Sequence, residues 1–152
     1  MSRTIDVPFD LQRFLTAQEG VYQTALAELR AGRKRTHWMW FVFPQFEGLG
    51  SSPTARHFAI KSLEEARAYL DHPVLGARLA ECAGALLDID GRSASDVFSY
   101  PDDLKLRSSM TLFELVAPAG SVFSRVLEKY FGGKRDEATI RLAASGSRPG
   151  FA

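Results

Sequence analysis

From Leu11 to Ala31 the apolar side chains recur at the spacing of one helical face. Leu11, Phe14, Leu15, Val21, Tyr22, Ala25, Leu26 and Leu29 fall on one stripe. Asp10 stands where a cap would, and Gly32 where such a helix would stop. Gln18 sits in the middle of the stripe, where an amide without partners costs about 1–3 kcal/mol. It is read first as a hydrogen bond inside the core, with a ligand contact as the alternative. The same periodicity predicts a helix opened by Ser62 and Glu65, and another from Pro73 to about Leu87 through Leu75, Leu79, Ala83 and Leu86. Further helices are expected over 94–98, 102–116, 121–131 and 136–144, the last capped by Asp136.

One run breaks the pattern. "HWMWFVFP" (37–44) suits a buried strand by composition and a short buried helix by length, and Pro44 ends it either way. No second strand candidate follows, so a lone strand would have no partner. The expected fold class is mainly α: a single compact helical domain over residues 1–144, with about seven to eight helices, some short. The end, "SGSRPGFA" (145–152), is expected to be a disordered tail.

Composition narrows the function classes. The chain has 152 residues, a net charge of +1 and a charged fraction of 24%, so it exerts no general pull on nucleic acid or anionic membrane. A lone cysteine, Cys82, lies in an apolar helical pattern and reads as a small core residue. No signal-peptide pattern opens the chain and no apolar run approaches membrane-spanning length, so a cytoplasmic setting is the default. The 3 histidines and 1 cysteine show no metal-ligand spacing, and no cofactor is implied.

The candidate chemistry lies in two strings. In "YPDDLKLRSSMTLFELV" (100–116), Asp102, Lys105 and Ser109 share a helical face with Leu106, Leu112, Phe113 and Val116. One reading has Asp102 cap the helix, Lys105 reach to water and Ser109 bond a carbonyl. The other is a polar pocket at a helix N-terminus that favours an anion such as phosphate, with Ser108 and Ser109 as donors. In "RKRTHWMWFVFPQFEGLGSS" (33–52), Met39, Phe41, Val42 and Phe43 are expected to be buried. His37, Trp40 and Gln45 would form a wall, the Trp40 indole stacking on a ring. Gly48 and Gly50 would let backbone approach a ligand, beside Ser51. Arg56 and His57 follow that turn, and Lys105, Ser108 and Ser109 would meet the phosphate. His37 and Asp102 are the acid/base candidates, since burial moves their pKa values most readily into range.

With "HWMWFVFPQFEGLGSS" and "DDLKLRSSMTLF" in this order, the chain resembles a bacterial family, the domain of unknown function 1810, over nearly its whole length. The resemblance implies a mainly helical domain and no established activity. A fainter resemblance, over "TARHFAIKSLEEARAYLDHPVLGARLAE", is to a helical family of N-glycosidases acting on NAD, ADP-ribose and riboflavin intermediates. Their Ser-Glu-His-Tyr-Phe type string would align with Thr54 to Phe58, which puts Ala55 at the glutamate position, and their Trp-Gly string has no counterpart. The functional expectation is a domain that binds a phosphate-bearing nucleotide or sugar-nucleotide, with N-glycosidic hydrolysis as the reaction the second resemblance implies. Two alternatives stay open. Arg30, Arg33, Lys34, Arg35 and His37 form a basic cluster beside aromatics that suits RNA or single-stranded DNA, and the aromatic run suits an oligomer interface.

Overall fold

Gly20 decides how the chain begins. Its φ of 74° is open to glycine and strained for other residues, and it splits the single helix expected over 11–31. The computed structural model describes residues 9–146, and on it α1 (Gln12–Gln18) and α2 (Tyr22–Arg30) replace that helix. The residue before α1 is Leu11, which makes no side-chain cap, so Asp10 is not the cap. There follow α3 (Met39–Val42), α4 (Pro53–Phe58), α5 (Leu63–Asp71), α6 (Leu75–Leu87) and α7 (Ala94–Phe98). The last three are α8 (Asp102–Val116), α9 (Val122–Phe131) and α10 (Glu137–Gly146). The described residues thus hold ten helices, not seven or eight. The added elements are the split at Gly20 and the single turn α3. Residues 145 and 146 continue α10, and the rest of the tail lies outside the described residues.

The apolar run is helical. Its one turn, α3, buries Met39, Phe41 and Val42, and Trp38 and Phe43 on either side are fully buried. The one bridge among the described residues pairs Phe46 with Ile60. Helix α8 is the hub, packed against α5, α7, α9 and α10. Being surrounded, it buries Ser108, Met110 and Thr111 as well as Leu106, Ser109, Leu112 and Phe113, so its buried surface is wider than one stripe. No helix among the described residues is long and apolar enough to cross a membrane.

Three polar groups tie the core together. Gln18 Nε2 donates to the Phe41 carbonyl at 2.8 Å and the Tyr69 hydroxyl at 3.2 Å, and its Oε1 accepts from Arg78 at 3.1 Å. That is the structural role expected of it. Arg13 pairs with Glu65 at 2.9 Å, both side chains being more than nine-tenths buried. Glu65 also accepts from Lys61 N at 2.8 Å, while Ser62 Oγ caps α5 through Glu65 N at 3.0 Å. The third group is Glu28, and sequence pattern gave no sign of it. After α2 the chain reverses at Gly32 and wraps round this carboxylate. Oε1 accepts from Arg35 N at 2.8 Å, Thr36 N at 3.1 Å and the Trp38 indole at 2.9 Å, and Oε2 accepts from the Thr36 hydroxyl at 2.7 Å. Burial would raise its pKa, but these donors outweigh it and bring the carboxyl down to about 2. Cys82 is buried, and burial pushes its thiol up to about 12, as suits a core residue.

Candidate functional site

The two strings singled out in the sequence meet. A cleft of about 500 Å³ lies between the 40–55 segment and α8. The first segment contributes Trp40, Gln45, Gly50 and Ser51, together with Leu49, Ser52 and Ala55. The facing wall is Lys105 and Ser108, with Pro101, Leu104 and Arg107, and Asp136 also lines the cleft. Six of the twelve residues assigned to a site from sequence therefore share one cleft.

The walls are built locally. Ser52 Oγ caps α4 through Ala55 N at 3.1 Å, with Pro53 in its first turn, and this turns the chain back after Gly50. A Cβ on Gly50 would lie 2.6 Å from that of Ala55, so Gly50 lets the loop close onto α4. Lys105 Nζ sits 5.7 Å from the Trp40 ring centroid, within cation–π range. Ser108 Oγ donates to Asp136 Oδ2 at 2.8 Å, and Thr139 Oγ1 donates to the same oxygen at 2.6 Å. Asp136 Oδ1 is 4.0 Å from Arg107, whose Nε is buried and has no hydrogen-bond partner.

The charges near the head of α8 are arranged in an order the sequence did not disclose. Asp102 Oδ2 is 2.9 Å from Lys34, whose side chain is only 7% exposed and whose Nζ lies 5.1 Å from the Trp38 ring centroid. Its other oxygen is 3.3 Å from Lys105. Asp102 is thus committed to a structural pair linking the 33–36 turn to α8, and does not line the cleft. Lys34 is likewise withdrawn from the basic cluster, and Arg30 faces Glu81 at 3.5 Å.

The remaining assigned residues lie elsewhere. His37 is exposed and does not line this cleft, because the wrapping of 35–38 round Glu28 turns those N–H groups inward and His37 outward. Gly48 takes a φ of 103° and packs where a Cβ would lie 3.3 Å from Leu142, so its freedom serves the turn. Arg56 and His57 line a separate cleft of about 440 Å³ with Phe9, Arg13, Lys61 and Glu65. Ser109 is fully buried with no partner for its hydroxyl, on the core side of α8. Arg107 and Asp136 are the charged cleft residues that sequence reading missed, and Ser52 is a further polar one. No three His, Cys, Asp or Glu side chains among the described residues are grouped as metal ligands would be.

A family model described as a protein of unknown function, DUF1810, matches residues 8–143. The crystal structure of the conserved hypothetical protein Rv1873 from Mycobacterium tuberculosis is similar, with 56% sequence identity and a TM-score of 0.89 over 91% of this chain and 99% of that one. No curated protein matches. The N-glycosidase resemblance has no support from these comparisons.

Proposed function

The chain belongs to the DUF1810 family of proteins of unknown function, and from that premise we propose that its cleft binds an anionic small molecule bearing a flat ring, of the nucleotide or sugar-nucleotide class. The observation that carries the reading is the position of Lys105. Asp102 already has a nearer and more buried partner in Lys34, so the fold has little need of a second cation there. Lys105 nonetheless stands on the cleft wall beside the Trp40 ring, with Gln45, Ser51 and Ser52 opposite. A ring stacked on Trp40 would bring a phosphate toward Lys105 and Arg107. No catalytic group is assigned in the cleft. Asp136 already accepts two hydroxyls and faces Arg107, and Ala55 offers no carboxylate.

Thermal denaturation tests this. AMP or a UDP-sugar at about 100 times its dissociation constant should stabilise the wild type by about 2.7 kcal/mol, roughly 5–10 °C in Tm. Lys105→Met should unfold within about 0.5 kcal/mol of wild type without ligand and lose most of that shift. Trp40→Ala should also lose it. A shift that survives both substitutions would place the ligand elsewhere, and no shift in wild type with either compound would overturn the reading.

A further inference from the structure

A second cleft, of about 610 Å³, borders the first, and Arg107 and Asp136 belong to the walls of both. Its other cations differ in how they are used. Arg135 is held by Glu114, donating from Nε to Oε1 at 2.8 Å, and is not available to a ligand. Lys134 and Arg141 are exposed and make no ion pair among the described residues. Arg107 between the clefts is held loosely, by one carboxylate oxygen at 4.0 Å and with a buried Nε that has no acceptor. A guanidinium has five N–H donors, and buried donors without acceptors are uncommon in folded proteins. With Arg135 set against Glu114, the charged residues lining the two clefts are Lys105, Arg107, Lys134 and Arg141 with Asp136 and Glu137, a surplus of two positive charges.

We infer that the two clefts form one continuous site whose ligand carries two linked anionic groups, a diphosphate and not a monophosphate, with Arg107 at the junction. The inference rests on the nucleotide-cleft reading and extends it. The first anionic group lies by Lys105, where the ring on Trp40 delivers it. The second passes Arg107 and meets Lys134 and Arg141, and the planar fork of Arg107 suits oxygens of both groups.

Titration calorimetry with AMP and ADP separates the two readings, on wild type and on the double variant Lys134→Ala/Arg141→Ala. Both substituted side chains are exposed, and an unchanged circular dichroism melt would confirm the fold. Wild type should bind ADP at least about tenfold more tightly than AMP, since each charge-assisted hydrogen bond is worth on the order of tenfold in affinity. The variant should keep its AMP affinity and lose the ADP advantage. Equal affinity for AMP and ADP in wild type would overturn the two-anion inference and leave the single cleft standing. An ADP preference that persists in the variant would overturn the role of the second cleft. Binding of neither nucleotide would overturn both readings.

Discussion

Glu28→Ala should lower the stability of the protein by at least about 3 kcal/mol, because four donors lose one acceptor group and each stranded buried donor costs about 1–3 kcal/mol. The Trp38 indole N–H is the most exacting of these, since Trp38 is fully buried and no water reaches it. Glu28→Gln should cost less. Its carbonyl can stay in the Oε1 position, and its amide can donate to the Thr36 hydroxyl; what it loses is the charge. The same carboxylate sets an acid limit. Its pKa is about 2 in the folded protein against an ordinary 4.5, so the folded state favours the ionised form. That contribution, about 3 kcal/mol, is fully present above the ordinary value and is lost as pH falls toward 2. Urea denaturation between pH 7 and pH 3 should therefore show a steep acid loss in wild type and a flatter one in both variants. An Ala variant as stable as wild type at pH 7 would refute this account of the 33–38 turn.

The second large effect comes from a glycine that helix propensity alone would replace. A Cβ on Gly76 would lie 1.9 Å from the carbonyl oxygen of Leu70 and 2.8 Å from its carbon. The obstacle is backbone at the end of α5, held by the short corner His72–Val74 in which His72 Nδ1 accepts from Val74 N and Leu75 N. Helices α5 and α6 pack closely there. Overpacking against side chains costs about 1–3 kcal/mol, and a backbone obstacle yields less, so Gly76→Ala should cost more than about 3 kcal/mol. That is roughly 10 °C in Tm for a chain of this size. At Gly84, in the same helix, a Cβ would meet nothing within 4 Å. Gly84→Ala should stabilise the protein by about 0.5–1 kcal/mol. Calorimetric melts of the two variants should move in opposite directions, and a shift of equal sign would contradict the packing described at the α5–α6 corner.

The features that could be read from sequence are those fixed by neighbours in the chain. Helix α8 was bounded correctly at both ends, and α7 carries the Ser93–Asp96 capping box just ahead of its apolar residues. The break at Gly20 was hidden because the apolar stripes of α1 and α2 stay in phase across it. The Glu28 knot was hidden for a different reason. A glutamate between Leu26 and Leu29 looks like a surface position until the chain reverses at Gly32 and brings residues 35–38 back to it. The site was half legible. Trp40, Gln45 and Lys105 stood out as polar or amphipathic groups beside apolar runs. Arg107 lies off the one apolar face that periodicity gives α8, whereas a hub helix has neighbours all round and its polar side becomes the wall of a cleft. Asp136 was assigned to capping α10, and its distance from α8 in sequence concealed the bond to Ser108.

The most direct test of the cleft uses the 2 tryptophans as paired reporters. Trp40 lines the cleft, while Trp38 is fully buried with its indole N–H bonded to Glu28. In a ¹H–¹⁵N spectrum the two indole N–H signals can be assigned with Trp40→Phe and followed as AMP is added. A saturable shift of the Trp40 signal is expected, with the Trp38 signal unmoved and the Trp40 shift abolished in Lys105→Met. Indole signals that both stay fixed to millimolar AMP, or a Trp38 signal that moves while Trp40 does not, would contradict binding in the cleft.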